Sequence, residues 1–270
     1  MSRILINLHN KLPQKVQRAI SRIQYEYLSQ MDHEANILFM NYGWADLDPE
    51  AEEIPLSDDD EPNRYCIQLY HYVASAIDLS GMDVLEVGCG RGGGASYIMR
   101  YLNPRSLVGI DITANAIRFC NRHYDIAGLS FVRDKAESLQ FDDNSFDVIV
   151  SIESSHCYAS MEQFLDGVHS VLRPGGYFLF ADLRLKEELG TLYQQLGNTG
   201  LTLLKQKRIS PNVVRALDLD NQRKQELIKQ RVPGILQNLF SEFAGMKGTH
   251  TSYGKLKRGD MEYLSFVFRK

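Results

Sequence analysis

The chain has 270 residues, 34 acidic against 30 basic side chains, and a formal net charge of -4, enough length to bury a substantial core in one enzyme-sized domain. The acidic balance excludes a general nucleic-acid binder, which is normally basic. Cys66, Cys89, Cys120 and Cys157 are widely spaced with no C-x-x-C pair, and no apolar run approaches a membrane span, so the sequence indicates neither zinc nor disulfides and fits a reduced, cytoplasmic protein with no transmembrane segment.

In chain order, Met1 to Leu12 is too polar for a leader peptide. Val16, Ile20, Ile23 and Tyr27 then recur at helical spacing between Lys15, Arg18 and Arg22, which predicts an amphipathic helix over residues 13–30. An aromatic cluster from Phe39 to Trp44 leads into residues 46–61, which carry nine acids and no base. Like charges repel and prolines break regular structure there, so this run reads as a solvated loop without a chemical role. A helix follows from Glu61 to about Ile77, with Ile67, Tyr70, Val73 and Ile77 on one side.

The stretch from Val84 to Ile98 organises the rest. Val84 to Val87 is a short apolar strand of the kind covered on both faces of a parallel sheet. Gly88, Gly90 and Gly92 let the backbone turn tightly and approach a ligand, and Ala95, Ile98 and Met99 begin a helix packed on the sheet. The next strand, Leu107 to Asp111, ends in a carboxylate roughly 20 residues on, the position from which an acid grips ribose hydroxyls. Spacing alone leaves a nicotinamide dinucleotide and S-adenosylmethionine (SAM) both open. Further along, residues 114–124 form a helix and 129–132 and 146–152 form strands. A helix over 161–172 then reaches Pro174-Gly-Gly176, a turn feeding a strand over 177–183. Ligands in open α/β sheets sit beyond the carboxyl ends of the strands. Glu153 and His156, just past a strand end, therefore face the site, and Asp182 and Arg184 share that rim as substrate contacts or as an ion pair. Cys157 reads as a packing residue. Beyond Arg184 the pattern gives a helix over 187–196, one or two helices with excess positive charge over 211–230, a helix over 235–243, and strands over 201–204 and 262–269.

Glu86-Val-Gly-Cys-Gly-Arg-Gly, Gly109-Ile-Asp111, Phe146-Asp-Val-Ile-Val150 and Leu172-Arg-Pro-Gly-Gly176 resemble, in order, the motif series of the class I SAM-dependent methyltransferases. Asp60-Glu-Pro-Asn-Arg64, Leu69-Tyr-His71 and Ser155-His-Cys-Tyr158 extend the likeness to the phthiotriol/phenolphthiotriol dimycocerosates methyltransferases and to teleocidin-type C-methyltransferases. The resemblance implies a doubly wound, Rossmann-like seven-stranded sheet, mostly parallel with an antiparallel last strand, and SAM as cofactor. It divides the chain into a helical lid and acidic linker (1–80), a SAM-binding core (81–184), cap helices with the sixth strand (185–260) and a final core strand (261–270). Tyr25, Glu86, Gly88, Gly90, Gly92, Asp111, Ile112, Lys135, Ala136 and Glu137 become the expected cofactor contacts. Lys135 departs from the usual acid facing adenine, since an ammonium cannot accept the adenine hydrogen bond. Tyr25 or Tyr27 would shield the site from a lid, and a lid exchanged between subunits would imply a homo-oligomer.

The implied reaction is methyl transfer to a hydroxyl of a hydrophobic or lipid-like specialised metabolite. His156 is the expected base, and Glu153 orients it or holds the amino-acid end of SAM. The alternatives are C-methylation of an alkene or aromatic carbon, an NAD-type oxidoreductase, and a SAM-binding protein without turnover. No metal is expected.

Overall fold

The computed structural model describes residues 37–234 and 236–270; the helix expected over 13–30, with Tyr25 and Tyr27, lies outside the described residues. Seven strands form one sheet in the order β3-β2-β1-β4-β5-β7-β6. They are β1 Asp83–Val87, β2 Ser106–Asp111, β3 Leu129–Arg133, β4 Phe146–Ile152, β5 Leu172–Leu185, β6 Thr202–Arg208 and β7 Met261–Arg269. Neighbours from β3 through to β5 run parallel, and β7 is antiparallel to both β5 and β6. This is the doubly wound, Rossmann-like arrangement.

The central strands are rich in Val, Ile and Leu on both faces because both faces are covered. Val84, Leu107, Val148, Val150 and Leu179 point into one core, with Ile67 and Leu69 of α1 (Arg64–Ala74) and Ile98 of α2 (Gly93–Leu102). Leu85, Val87, Ile149, Phe178 and Phe180 point into the other, with Phe164 and Val168 of α4 (Met161–Val171). Each fully buried Leu, Ile or Phe contributes about 1.5–3 kcal/mol. The remaining crossovers are α3 (Ala114–His123) and α5 (Leu189–Gly197), and four helices lie between β6 and β7: α6 Ser210–Leu219, α7 Asn221–Arg231, α8 Gln237–Phe243 and α9 Ser252–Arg258.

Three elements differ from expectation. The helix α1 stops at Ala74 rather than near Ile77: Ser75 leaves helical geometry (ψ 5°), while its N–H and Oγ–H both donate to the His71 carbonyl, at 2.9 and 2.6 Å. The Pro174-Gly-Gly176 turn lies inside β5 rather than before it: Phe146 pairs with Leu172 and Val148 next with Tyr177, so 173–176 bulge out of the β4 ladder, with Gly175 at φ 83°. Pro174 holds Arg173 extended, Leu172 pairs with Phe146, and the Gly175 N–H donates to the Lys270 carbonyl at 2.8 Å. The acidic loop is also not wholly solvated. Asp60 is buried, with Arg100 Nη1 and Nη2 at 2.6 and 2.8 Å and the Tyr101 hydroxyl at 2.7 Å. Burial opposes its charge, but these donors hold the carboxyl at about 2.

Candidate active site

At the carboxyl end of β1 the chain turns through Gly88 (φ 83°), Gly90 (φ 55°) and Gly92 (φ 78°), a left-handed path that favours glycine. A Cβ on Gly88 would lie 2.5 Å from the Ser154 Cβ, so the loop sits directly against the end of β4. The loop is held from β2: the Ile110 carbonyl accepts the Gly88 and Cys89 N–H groups at 2.9 Å each. Asp111 Oδ2 accepts the Gly90 N–H at 3.1 Å, and its Oδ1 accepts the Thr113 N–H at 2.8 Å.

These residues open onto a cavity of about 880 Å³ beyond the carboxyl ends of the strands, the upper end of the range for ligand sites and roomy enough for a cofactor and a second molecule. One wall carries Gly88, Gly90, Asp111, Ile112, Ala136 and Glu137; Glu86, Gly92 and Lys135 are not part of the lining. Gly92 packs: a Cβ there would meet Tyr124 and Phe131 at 2.7–2.8 Å. Lys135 is exposed, and the lining passes through its neighbours Asp134 and Ala136. Glu86 stands inside β1, accepting the Tyr70 hydroxyl at 2.7 Å on Oε1 while Oε2 has no hydrogen-bond partner among the described residues. Burial pushes its carboxyl up to about 7, against the pull of the Tyr70 hydrogen bond.

The second wall lies past β4. Glu153 has φ 51°, a strained conformation for a non-glycine residue that costs about 1–3 kcal/mol. Its N–H donates to the Ala181 carbonyl at 2.8 Å, and its Oε2 accepts the Tyr42 N–H and the Tyr263 hydroxyl at 2.9 and 3.0 Å. Burial raises the carboxyl to about 7, with the Tyr42 hydrogen bond opposing. Three residues on, in a short 3-10 turn, His156 Nδ1 lies 2.8 Å from Asp182 Oδ1. Oδ2 of the same carboxylate accepts the His156 N–H at 2.9 Å and the Ser155 hydroxyl at 2.5 Å, with Arg184 Nη1 at 3.1 Å. The acid on the imidazole is thus Asp182 of β5, not Glu153, and Asp182 is also the ion-pair partner of Arg184.

In the neutral ring, a proton on Nδ1 facing Asp182 leaves Nε2 as the acceptor. Burial disfavours the charged ring, but Cys157 and Asp182 outweigh it and raise the imidazole well above its usual range. Asp182 stays well below the carboxylate range, since His156 and Arg184 overcome its burial. Cys157 is not a packing residue: it is exposed, lines the cavity and lies within hydrogen-bonding reach of the ring.

The third wall comes from the helices between β6 and β7. Lys224, Leu227, Ile228 and Arg231 of α7 line the cavity with Phe240 and Phe243 of α8. Tyr42 ties this wall to the rim, its hydroxyl donating to Ser252 Oγ at 2.7 Å while its N–H holds Glu153. Sequence reasoning missed Tyr42, Lys224, the hydrogen bond from Tyr70 to Glu86 and the pairing of Asp182 with His156. The one signal available for the last was that both residues end strands on the same rim.

A family model described as a methyltransferase domain matches residues 85–180. The chain is 42% identical over 234 residues to a phthiotriol/phenolphthiotriol dimycocerosates methyltransferase of Mycobacterium tuberculosis, covering 87% of this chain and 86% of that protein. The chain belongs to the SAM-dependent methyltransferases. The enzyme is also 36% identical to a fatty-acid O-methyltransferase of Mycolicibacterium smegmatis, over 99% of its own length and 94% of the relative's. Among solved structures, a cyclopropane synthase of Mycobacterium tuberculosis shares the fold with a TM-score of 0.70 at 18% identity, covering 91% of this chain and 97% of that one.

The cofactor is SAM, and the residues present fit it. A glycine turn that a Cβ at Gly88 would obstruct, a carboxylate at the end of β2 and the start of a 3-10 turn at Ala136 line one continuous wall. That set supplies close backbone approach, acceptors for ribose hydroxyls and a backbone edge for adenine. No helix among the described residues is long and apolar enough to cross a membrane.

Proposed function

We propose that this enzyme transfers the SAM methyl group to a hydroxyl of a lipid-like molecule, with His156 as the general base. SAM supplies an electrophilic methyl group on a sulfonium. The observation that carries the reading is the Asp182–His156 pair on the cavity rim: Asp182 fixes the ring and stabilises its protonated form, and Nε2 takes the hydroxyl proton. In this reading Gly88, Gly90, Asp111, Ile112, Ala136 and Glu137 hold the cofactor, residues 81–184 form the binding core, and the helices within 185–260 select the acceptor. The apolar side chains Leu227, Ile228, Phe240 and Phe243 support a lipid-like acceptor, as do the relatives named for phthiotriol and for a fatty acid. Holding hydroxyl and methyl in line is worth roughly 7–11 kcal/mol, and the base a further 10²- to 10⁴-fold or so.

The test is methylation of a panel of long-chain alcohols and hydroxylated lipids by the wild type, His156→Ala and Asp182→Asn. His156→Ala should lose about 10²-fold or more in kcat while binding S-adenosylhomocysteine normally; a loss below about tenfold would remove the base role. Because the base must be neutral and its ring is held above the usual histidine range, the rate should rise with pH through that raised value. Asp182→Asn should move the rising limb to lower pH.

A further inference from the structure

The four cysteines of the chain occupy two kinds of surroundings. Cys66, Cys89 and Cys120 are buried, and their sulfurs rest on backbone carbonyls. Cys66 Sγ lies 3.7 Å from the Asn41 oxygen, and Cys89 and Cys120 Sγ lie 3.9 and 3.5 Å from the Gly90 oxygen. Burial pushes the Cys66 and Cys89 thiols up, which keeps them protonated and inert. Cys157, in contrast, is exposed and lines the cavity. Methyl transfer needs no sulfur nucleophile, so the proposed function leaves this thiol without a role.

Its neighbours are those that activate sulfur. Cys157 follows His156 in the short 3-10 turn over Ser155–Cys157, and its thiol is within hydrogen-bonding reach of the imidazole. That ring is held from β5: Nδ1 lies 2.8 Å from Asp182 Oδ1, and Asp182 is itself fixed by the Ser155 hydroxyl and Arg184. Carboxylate, imidazole and thiol form one chain of contacts, in which the acid stabilises the protonated ring and the protonated ring stabilises a thiolate. Glu153 and Tyr42 are the titrating groups that face this pair from the end of β4 and from the 37–45 segment. Burial holds Glu153 up at about 7 and Tyr42 above its ordinary value, so at neutral pH neither sets a full negative charge against the sulfur.

We propose that Cys157 is a modification site, a nucleophilic thiol that hydroperoxides oxidise inside the cavity. The sulfur attacks the terminal peroxide oxygen, the O–O bond breaks as the S–O bond forms, and the imidazolium proton passes to the departing oxygen. Cys157 becomes a sulfenic acid, and the hydroperoxide becomes an alcohol, or water where it is hydrogen peroxide. The assignment is independent of which molecule the enzyme methylates.

Peptide mapping of the whole enzyme after two labels tests it. Iodoacetamide at pH 7 should alkylate Cys157 about tenfold or more faster than Cys66, Cys89 or Cys120. Hydrogen peroxide followed by dimedone, which traps sulfenic acids, should place its adduct on Cys157. The alkylation rate of Cys157 should rise with pH to a midpoint below about 8.5, the ordinary thiol value. His156→Gln, checked for folding by S-adenosylhomocysteine binding, should return the midpoint to about 8.5 or above and slow alkylation at pH 7 by about tenfold. A dimedone adduct confined to another cysteine would overturn the site. A wild-type midpoint at or above about 8.5, or a His156→Gln protein alkylated as fast as the wild type, would overturn activation by the imidazole. Should His156→Gln fail to fold, the wild-type midpoint and the dimedone map decide between these outcomes.

Discussion

Gly94 sits in the first turn of α2, where replacement by alanine normally stabilises a helix by about 1 kcal/mol. Here the sign should reverse. A Cβ at Gly94 would lie 1.9 Å from Cε1 and 2.0 Å from Cζ of Tyr70, a buried ring whose hydroxyl is the donor to Glu86. The ring must move by more than an ångström or so to restore van der Waals contact, and the 2.7 Å hydrogen bond cannot survive that shift. Overpacking of this kind costs about 1–3 kcal/mol. Stripping the Tyr70 donor from the buried Glu86 carboxyl adds about 1–3 kcal/mol. Net of the helix gain, Gly94→Ala should be destabilising by about 1–5 kcal/mol, a fall in Tm of about 2–20 °C for a chain of this size. Urea denaturation of the wild type, Gly94→Ala and Tyr70→Phe measures it, with Tyr70→Phe isolating the hydrogen bond at about 1–3 kcal/mol. Since Gly94 and Tyr70 both line the cavity, Gly94→Ala should also weaken SAM binding. A Gly94→Ala protein as stable as the wild type would refute the argument.

Glu153 gives a pH signature. Its folded carboxyl is at about 7 against an ordinary 4.5, so between those values the unfolded chain releases a proton that the folded chain keeps. Stability should fall as pH rises across that window, and Glu153→Gln should flatten its share of the fall, gaining about 1–3 kcal/mol at pH 8 relative to the wild type; parallel pH–stability curves would contradict this. Asp111→Asn should weaken S-adenosylhomocysteine binding by about tenfold or more, measured calorimetrically. Unchanged affinity would leave Asp111 with a structural role, holding the Gly90 and Thr113 N–H groups.

The parallel half of the fold was legible because its signals are local. Val84 to Val87 and Phe146 to Ile152 are mostly apolar, interrupted only by Glu86, Asp147 and Ser151, and Gly88, Gly90 and Gly92 mark a turn with positive φ at each glycine. Where the decisive contact is long-range, the sequence was silent. Pro174-Gly-Gly176 turns the chain as its composition indicates, and what the sequence did not show is the pairing with Lys270 that keeps this bulge within β5. The helix α9 places just Tyr253, Gly254 and Leu256 in the interior, too few positions for a periodicity to register. At the site, His156 stood out by residue type and position. Its partner did not, because Asp182 lies 26 residues away, beside an arginine that already accounts for it. Tyr42 was legible as an aromatic residue, but its backbone N–H is what reaches Glu153, and no side-chain pattern encodes that.

The placement of β7 between β5 and β6 has a consequence for the order in which the sheet can be made. The edge strand β6 takes its ladder partner from β7, and four helices separate the two in the chain. A ribosome adding about 5–20 residues per second takes roughly 3–10 s to cross that interval, during which β6 has been synthesised but has nothing to pair with. Its sequence suits the wait. Leu203 and Leu204 are exposed even in the finished sheet, and they are followed by Lys205, Lys207 and Arg208, charges that discourage an unpaired strand from joining another chain. The nascent chain thus carries its own protection against aggregation where assembly is slowest.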